Sequence, residues 1–501
     1  MCGTAESYRQ ETAIDILPDD VFLEIFDLCR VDESGRPIYP TWKWHRLAQV
    51  CRRWRYIIFA SPRRLDLKLV FTYGKPVWKN PGYLSAFPIA IDYASTHDPE
   101  KRPTPDDVQN IIAAFADPNR VHLIDFEVTN ELLELLVVTT TDEQFPALEH
   151  LDLSAAVSFV PAVKLPDGFL GGSAPSLQVF CLSGIPFPAL PRLLSSTNNL
   201  VYLQLDDIPP TGYISPEAMV AGLAMLTKLE FLSIKFSSDF CASIGDATPP
   251  ETRVVLPALL SLYFNGVSEY LEHFMAQIDT PRLDFLEITY SCRIGFQIPH
   301  LFQFIDRSTN FNRKLSLLTH AKILFEGEGI FSIDDGRESS EPVPPLDVYF
   351  SCEEIDCHVS HMTQMLSQSS TIFSNIKRLS ISCPPPLPDL EDMDPIPWLE
   401  LFRPFTAVQT LCVDGYLTED IALALGEVTA VMVAEVLPAL RSLDLGSNPN
   451  PYVDAATFVL LRGFFGRPVT IAYNSWETNG GLESDLSEFD DSEGSRSDFD
   501  E

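Results

Sequence analysis

The chain has 501 residues, 46% of them hydrophobic and 21% charged, with 40 prolines and a formal net charge of −35. That length exceeds one ordinary core and implies several domains or one elongated repeat domain, and the apolar-to-charged balance is globular. The charge excludes general nucleic-acid binding, which needs a basic footprint, and no apolar run reaches the ~18 residues of a membrane span.

In chain order, residues 1–13 are polar, lack the apolar core of a signal peptide and are expected to be flexible. "LPDDVFLEIF" begins at Leu17. Pro18 suits a first helical turn, and Asp19 and Asp20 favour the positive end of the helix. Val21, Ile25 and Leu28 recur at i, i+4, i+7, and Phe22 and Phe26 widen the stripe. "LAQVCRRWRYIIFASP" follows from Leu47. Its Leu47, Val50, Cys51, Trp54 and Ile58 predict one amphipathic helix that ends at Ser61-Pro62. Two short helices with such wide apolar faces cannot bury them against each other alone, so they should pack on something else. Between Cys29 and Asn80 stand twelve Lys/Arg against three Asp/Glu. A basic front on an acidic body fits a docking surface for an acidic partner protein better than a nucleic-acid patch.

Leu17-Pro18-x-x-Val21, Ile25-Phe26 and Val50-Cys51-Arg52-x-Trp54-Arg55 together resemble the F-box over residues 14–64, about a tenth of the chain. The resemblance implies docking to the Skp adaptor of a cullin-based ubiquitin ligase (SCF type). Leu17, Pro18, Val21, Ile25, Phe26, Leu47, Val50, Cys51 and Trp54 would supply the apolar faces, partly core and partly interface. The segment "RVDESGRPIYPTWKW" from Arg30 is longer than the usual F-box connection. Gly35, Pro37 and Pro40 mark it as a loop at 31–44, favoured as a tolerated insertion, though it could spoil the face. The competing reading is a helical hairpin that only caps a repeat scaffold with no tie to ubiquitin.

From residue 65 to 476 the texture changes. A frame of three apolar residues at +0, +3 and +5 begins at Leu148, Leu177, Leu200, Leu229, Leu259, Leu283, Ile376, Val408 and Leu440. Further strands are expected in "LDLKLVF", "FPIAIDYA", "VHLIDFEV", "AKILFEG" and "PPLDVYFSC", the last two filling the gap of 93 residues between Leu283 and Ile376 as two units. This is the strand portion of a stretched, irregular leucine-rich repeat, in which each strand turns alternate side chains inward and neighbours stack. Pro146, Pro175, Pro257, Pro281 and Pro438 stand two residues before their frames, where a turn enters the strand. Outer segments such as "SPEAMVAGLAMLTK" and "VSEYLEHFMAQID" read as helices, and inserts at 240–252, 327–345 and 383–397 as loops. The fold class is therefore α/β: a small all-α F-box followed by a degenerate leucine-rich-repeat-like solenoid. "PDGFLGGSAPSLQ" and "RPFTAVQTLCV" also resemble fungal F-box families with degenerate repeats.

Side chains between the apolar positions should line the concave face. One column reads His150, Val179, Tyr202, Phe231, Ser261, Phe285; its neighbour reads Asp152, Cys181, Gln204, Ser233, Tyr263, Glu287. Tyr202, Phe231, Tyr263 and Phe285 thus form a candidate substrate patch for an unknown protein target. The alternatives are that chain covers them or that the rings pad an irregular sheet.

No phosphate-cradling Gly loop, nucleophile elbow or His-Glu-x-x-His is present, so no enzyme activity and no cofactor are expected. "CEEIDCHVSH" gathers Cys352, Cys357, His358 and His361, but zinc sites usually pair close ligands at two separated places, so no metal is expected. The ten cysteines include no Cys-x-x-Cys pair and read as free thiols of a reducing compartment, cytoplasmic and/or nuclear. Residues 477–501 hold ten Asp/Glu and one Arg, an acidic disordered tail. Ser487, Ser495 and Ser497 would suit an acid-directed kinase, although a bare solubilising tail is the favoured reading of the composition.

Overall fold

Each of the nine frames opens with the same turn. The first apolar residue of Leu148, Leu177, Leu259, Leu283 and Leu440 donates its backbone N–H to the carbonyl three residues back, at 3.0–3.4 Å. The proline two residues earlier is the second residue of that turn, the position for which its fixed φ is suited. Leu200, Leu229, Ile376 and Val408 close the same turn without proline. The next residue then reaches the neighbouring strand: Glu149 donates to the His122 carbonyl at 2.9 Å and Gln178 to the Glu149 carbonyl at 2.8 Å. A tight turn followed at once by a ladder bond fixes the register of each repeat.

The computed structural model describes residues 17–28, 44–61, 65, 67–77, 87–94, 103–155, 163–237, 253–290, 298–326, 328–334, 344–351, 355–368, 373–384, 397–446 and 450–472. Residues 1–13, the connection at 31–43, the 240–252 insert, most of the 383–397 insert and the 477–501 tail lie outside them. Seven strands, β1 (Leu69–Phe71), β2 (Ile89–Tyr93), β3 (Val121–Val128), β4 (His150–Ala155), β5 (Val179–Ser183), β6 (Tyr202–Ile208) and β7 (Phe231–Phe236), lie side by side in chain order. A short parallel pair, β8 (Val254–Val255) and β10 (Ile278–Asp279), stands apart from the main sheet, which continues with β9 (Ser261–Gly266) and β11 (Phe285–Tyr290). All these neighbours pair in parallel.

The inward positions are closed to solvent. Leu148, Leu151 and Leu153, then Leu229, Leu232 and Ile234, then Leu283, Leu286 and Ile288, are completely buried. They pack against outer helices. Helix Ser268–Gln277 turns Tyr270, Leu271, Phe274 and Met275 inward, as its spacing predicts. Helix Pro216–Leu223 buries Met219, Val220 and Leu223.

The stretch between Leu283 and Ile376 departs from the expected two loop-separated units. It forms three strands, β12 (His320–Phe325), β13 (Gly329–Asp334) and β14 (Leu346–Phe350), placed in the reverse order β11-β14-β13-β12-β15, where β15 is Arg378–Cys383. β14 pairs in parallel with β11, β12 in parallel with β15, and β13 runs antiparallel between them. Part of the 327–345 insert, read as a loop, is therefore a strand. Its signal was present: Phe331 and Ile333 alternate inward, and "EGEG" supplies a Gly-containing hairpin connection. Helix Ile355–Ser367 sits close over this hairpin, since a Cβ on Gly329 would stand 2.8 Å from the His358 side chain. The sheet ends with β16 (Thr410–Gly415), β17 (Ser442–Asp444) and β18 (Thr470–Ile471), again parallel.

At the front, α1 (Asp19–Leu28) is followed by α2 (Trp44–Val50) and α3 (Arg52–Ala60). The single helix expected from Leu47 is broken at Cys51, whose φ of −154° and ψ of 171° are extended and whose Sγ accepts from the Trp54 N–H at 3.4 Å. Cys51 is thus an N-cap for α3. The α1 stripe is also divided: Phe22, Leu23 and Phe26 are buried, whereas Val21 and Ile25 are on the outside. α3 meets the first repeat through Phe59, whose ring stands edge-on to Phe87 at 5.7 Å, and Ile57 and Ile58 are buried.

Candidate functional site

The front helices are held by rings and one arginine. Trp54 packs edge-on to Phe22 at 5.6 Å and to Phe26 at 5.0 Å. Arg53 lies over Phe22 at 4.8 Å, donates to the Leu17 carbonyl at 2.5 Å and pairs with Asp19 at 2.7 Å. Arg55 donates to the Ala48 carbonyl at 3.0 Å. These two arginines tie α1, α2 and α3 together, so part of the basic character of this segment serves the hairpin itself.

The nine residues singled out in this region therefore divide. Phe26 is buried; Leu17, Leu47 and Trp54 are half-buried; Pro18, Val21, Ile25, Val50 and Cys51 are exposed. Among the described residues of these helices, Val50 at 59% exposure and Tyr56 at 72% are the most open large apolar side chains. Tyr56 was not singled out from sequence, because it falls off the stripe that Trp54 and Ile58 share. The outer set is uncharged and aliphatic or aromatic, which suits a permanent apolar contact.

On the sheet, both expected columns are in register from His150 to Phe285 and from Asp152 to Glu287. The four rings meet. Tyr202 and Phe231 stack at 4.1 Å with planes 4° apart, Phe231 and Tyr263 stand 5.0 Å apart, and Tyr263 and Phe285 4.9 Å. All four are half-buried. The Tyr202 hydroxyl donates to Gln204 at 2.6 Å, Gln204 donates to Asp206, and Ser233 donates to Asp206 at 3.2 Å. This network fixes the first ring of the stack from its polar edge. At the far end Lys235 lies 5.9 Å from the Tyr263 ring centre.

Carboxylates flank the rings. In the column that contains Tyr263, Asp92, Asp125 and Asp152 are direct partners on β2, β3 and β4, and Glu287 and Asp347 on β11 and β14. Neighbouring strands bring such groups to about 5 Å. Burial, and then the charges of Asp152 and Asp92, push Asp125 up to about 7. Burial, and then Glu287 and Asp334, push Asp347 up to about 7. Burial also raises Asp92, Asp152 and Glu287, with Lys235 opposing the shift at Glu287. Sequence reading stopped this column at Asp152 and Glu287 because the register of β2, β3 and β14 was open.

A third arrangement was not visible in the sequence at all. His320 on β12 bonds Asp334 on β13 through Nδ1 at 2.6 Å and Ser380 on β15 through Nε2 at 2.9 Å. The residue types match a nucleophile relay, but the setting does not. Ser380 lies inside a strand paired on both sides, so its backbone N–H belongs to the sheet and offers nothing to an oxyanion. The three side chains instead tie the reversed strand block to its neighbour.

Among the described residues no group of three or more His, Cys, Asp or Glu is arranged to hold a metal ion. Of the cysteine–histidine run, Cys352 lies outside the described residues. His358 is buried and stacks on Phe325, and His361 stacks on Phe350. The described cysteines, including Cys51, Cys181 and Cys383, are free thiols. Among the described residues no helix is long and apolar enough to cross a membrane.

The F-box-like family model matches residues 14–66. The crystal structure of the leucine-rich repeat-containing protein LegL7 from Legionella pneumophila aligns over 75% of this chain and 89% of its own, at 10% identity and a TM-score of 0.23. Comparison with curated proteins finds no match. The chain thus carries an F-box-like helical region followed by a long, mainly parallel sheet in leucine-rich-repeat-like array.

Proposed function

We propose that this protein is the substrate-recognition subunit of a cullin-type ubiquitin ligase, with α1–α3 docking to the Skp adaptor and the concave sheet holding the target protein. The observation that carries the reading is the division of the front helices. Phe22, Phe26 and Trp54 pack on one another at the front end of the core that runs on into the repeats, yet Val21, Ile25 and Val50 are left exposed. These side chains are the apolar surface that an adaptor would cover. The 14–66 match to the F-box-like family supports an adaptor as what covers that set. Co-expression with a Skp adaptor and purification through the adaptor tests it: a stable complex supports the reading, and a full-length, folded protein that never co-purifies overturns it.

The contact of Phe59 with Phe87 favours a second reading, in which the helices close the open end of a scaffold with no link to ubiquitin. The same experiment separates the two, because capping alone predicts no adaptor complex.

A further inference from the structure

The proposed function leaves the target's chemistry open, and the concave face narrows it. Resting on the reading that this face holds the target, we propose that its occupant is an extended segment rich in arginine or lysine, laid across the strands from β3 to β14. Three observations carry this. The first is the ring ridge, four rings in continuous contact on adjacent strands and half in solvent. Tyr202 and Phe231 stack face to face, so the ridge offers mainly ring edges and apolar surface. The methylene stems of long cationic side chains lie on such surface while their heads reach outward.

The second is what those heads would meet. Half-buried Asp125 and Asp152 stand on one side of the ridge, Asp206 beside it, and half-buried Glu287 with the more deeply set Asp347 on the other side. Asp125, Asp152, Glu287 and Asp347 form no ion pair among the described residues. Lys235 is the one lysine or arginine among the concave positions of β2–β7, β9, β11 and β14. An acidic segment would be repelled here, and a neutral one would leave these carboxylates with only the partial compensation that Lys235 gives Glu287 and Lys322 gives Asp347.

The third is Lys235 itself. It rests over Tyr263, whose plane is tilted 35° to Phe231 and so keeps part of its face open, and it acts on Glu287. The chain's own cation already occupies one ring-and-carboxylate position of the kind that a basic segment would use repeatedly. β3 to β14 spans seven strand steps. At about 4.8 Å per step this is about 34 Å, the length of about ten extended residues. Basic residues grouped toward the two ends of such a segment would reach the two carboxylate pairs.

The test uses the full chain and labelled ten-residue peptides of alternating glycine with arginine, glutamine or glutamate, read by fluorescence anisotropy at about 150 mM salt. The arginine peptide should bind and the other two should not. Phe231→Ser should weaken binding about tenfold or more, since it removes ridge surface without changing charge. Asp125→Asn with Asp152→Asn, and separately Glu287→Gln with Asp347→Asn, should weaken it similarly; these amides keep volume, so folding is preserved. Asp106→Asn with Glu131→Gln, on exposed outer-helix positions, should change nothing. Equal binding by wild type and Phe231→Ser, with the charge pairs no more sensitive than the outer-helix pair, would show general attraction to a chain of charge −35 and overturn the proposal. Glutamine-peptide binding as tight as that of the arginine peptide would also overturn it. Adaptor co-purification of the same variants separates this proposal from the ligase reading. Retained adaptor with no peptide binding sinks the basic-segment idea alone, and peptide binding by a chain that never takes the adaptor sinks the ligase reading alone.

Discussion

At the front, the large apolar side chains that α1–α3 leave exposed are Val21, Ile25, Val50 and Tyr56, set among exposed Asp20, Glu24, Arg52 and Arg55. On the sheet, the concave positions carry half-buried or buried carboxylates and a ring ridge. On the proposed reading, the contrast separates two kinds of attachment within one chain. An apolar face of few residues suits a partner that stays, whose removal leaves surface that water does not welcome. A charged, pre-arranged face suits capture that is fast, selective and sensitive to salt. The front also stabilises itself, through Phe22, Phe26, Trp54 and Arg53, whereas the body is a chain of neighbours in which each strand depends on the next.

The strongest way to break this contrast is Phe22→Ala. Removing a fully buried ring should cost the hairpin about 3–5 kcal/mol. Limited proteolysis should then cut the front while the body resists, and adaptor binding should be lost. If body and front become labile together, Phe59 against Phe87 couples them into one cooperative unit and the two regions are not separable.

Val50→Asp should act only on attachment. The side chain is 59% exposed, so the melting temperature should hold, while adaptor affinity falls by about 2 kcal/mol as a charge is forced against an apolar partner. Isothermal titration with purified adaptor checks it. Undiminished affinity would place the adaptor contact elsewhere.

Gly329→Ala probes the body where it departs from its own pattern. The added Cβ would press on the His358 side chain at 2.8 Å, a clash of about 2 kcal/mol if the helix above cannot retreat. Hydrogen exchange should show protection lost in β12–β15 and kept in β4–β9, as nearest-neighbour coupling requires. Uniform loss would mean that the reversed block does not act as a local unit.

That block also marks where the sequence stopped being legible. The frames from Leu148 to Leu283 could be read in register because a turn and a ladder bond recur at fixed offsets, so the ring ridge followed from counting alone. β13 was hidden because strand order is not written in periodicity: "GIFSID" alternates correctly but says nothing of its neighbours or direction. The His320, Asp334 and Ser380 contact spans 60 residues of sequence and exists only through that reversal. At the front, the motif marked the helical region, but periodicity alone ran α2 and α3 together, because Cys51 looks like one more apolar position until its backbone is seen to be extended. The carboxylate column was missed for a related reason: β2 and β14 hold one acid each and β3 holds two, Asp125 and Glu127, and only register shows which of them align.

The smallest expected effect bears on why those acids are there. Asp125 is raised to about 7 by burial, with Asp152 and Asp92 adding to the shift, from an ordinary value of 3.8. A carboxyl whose folded value lies above its unfolded one contributes stability that is full below about pH 4 and is lost as pH rises through about 7. Asp125→Asn should therefore raise stability at pH 8 by about 1 kcal/mol, allowing for solvent screening of the part that remains exposed, and should leave it unchanged near pH 4. Denaturant melts at the two pH values measure this directly. A variant equally stable, or less stable, at pH 8 would show that Asp125 is compensated within the fold. If the gain appears, the body carries an acid that weakens it at neutral pH, and a folding requirement does not account for that residue. That outcome fits the external basic segment proposed above, and the same substitution that strengthens the fold should then weaken capture of the basic peptide.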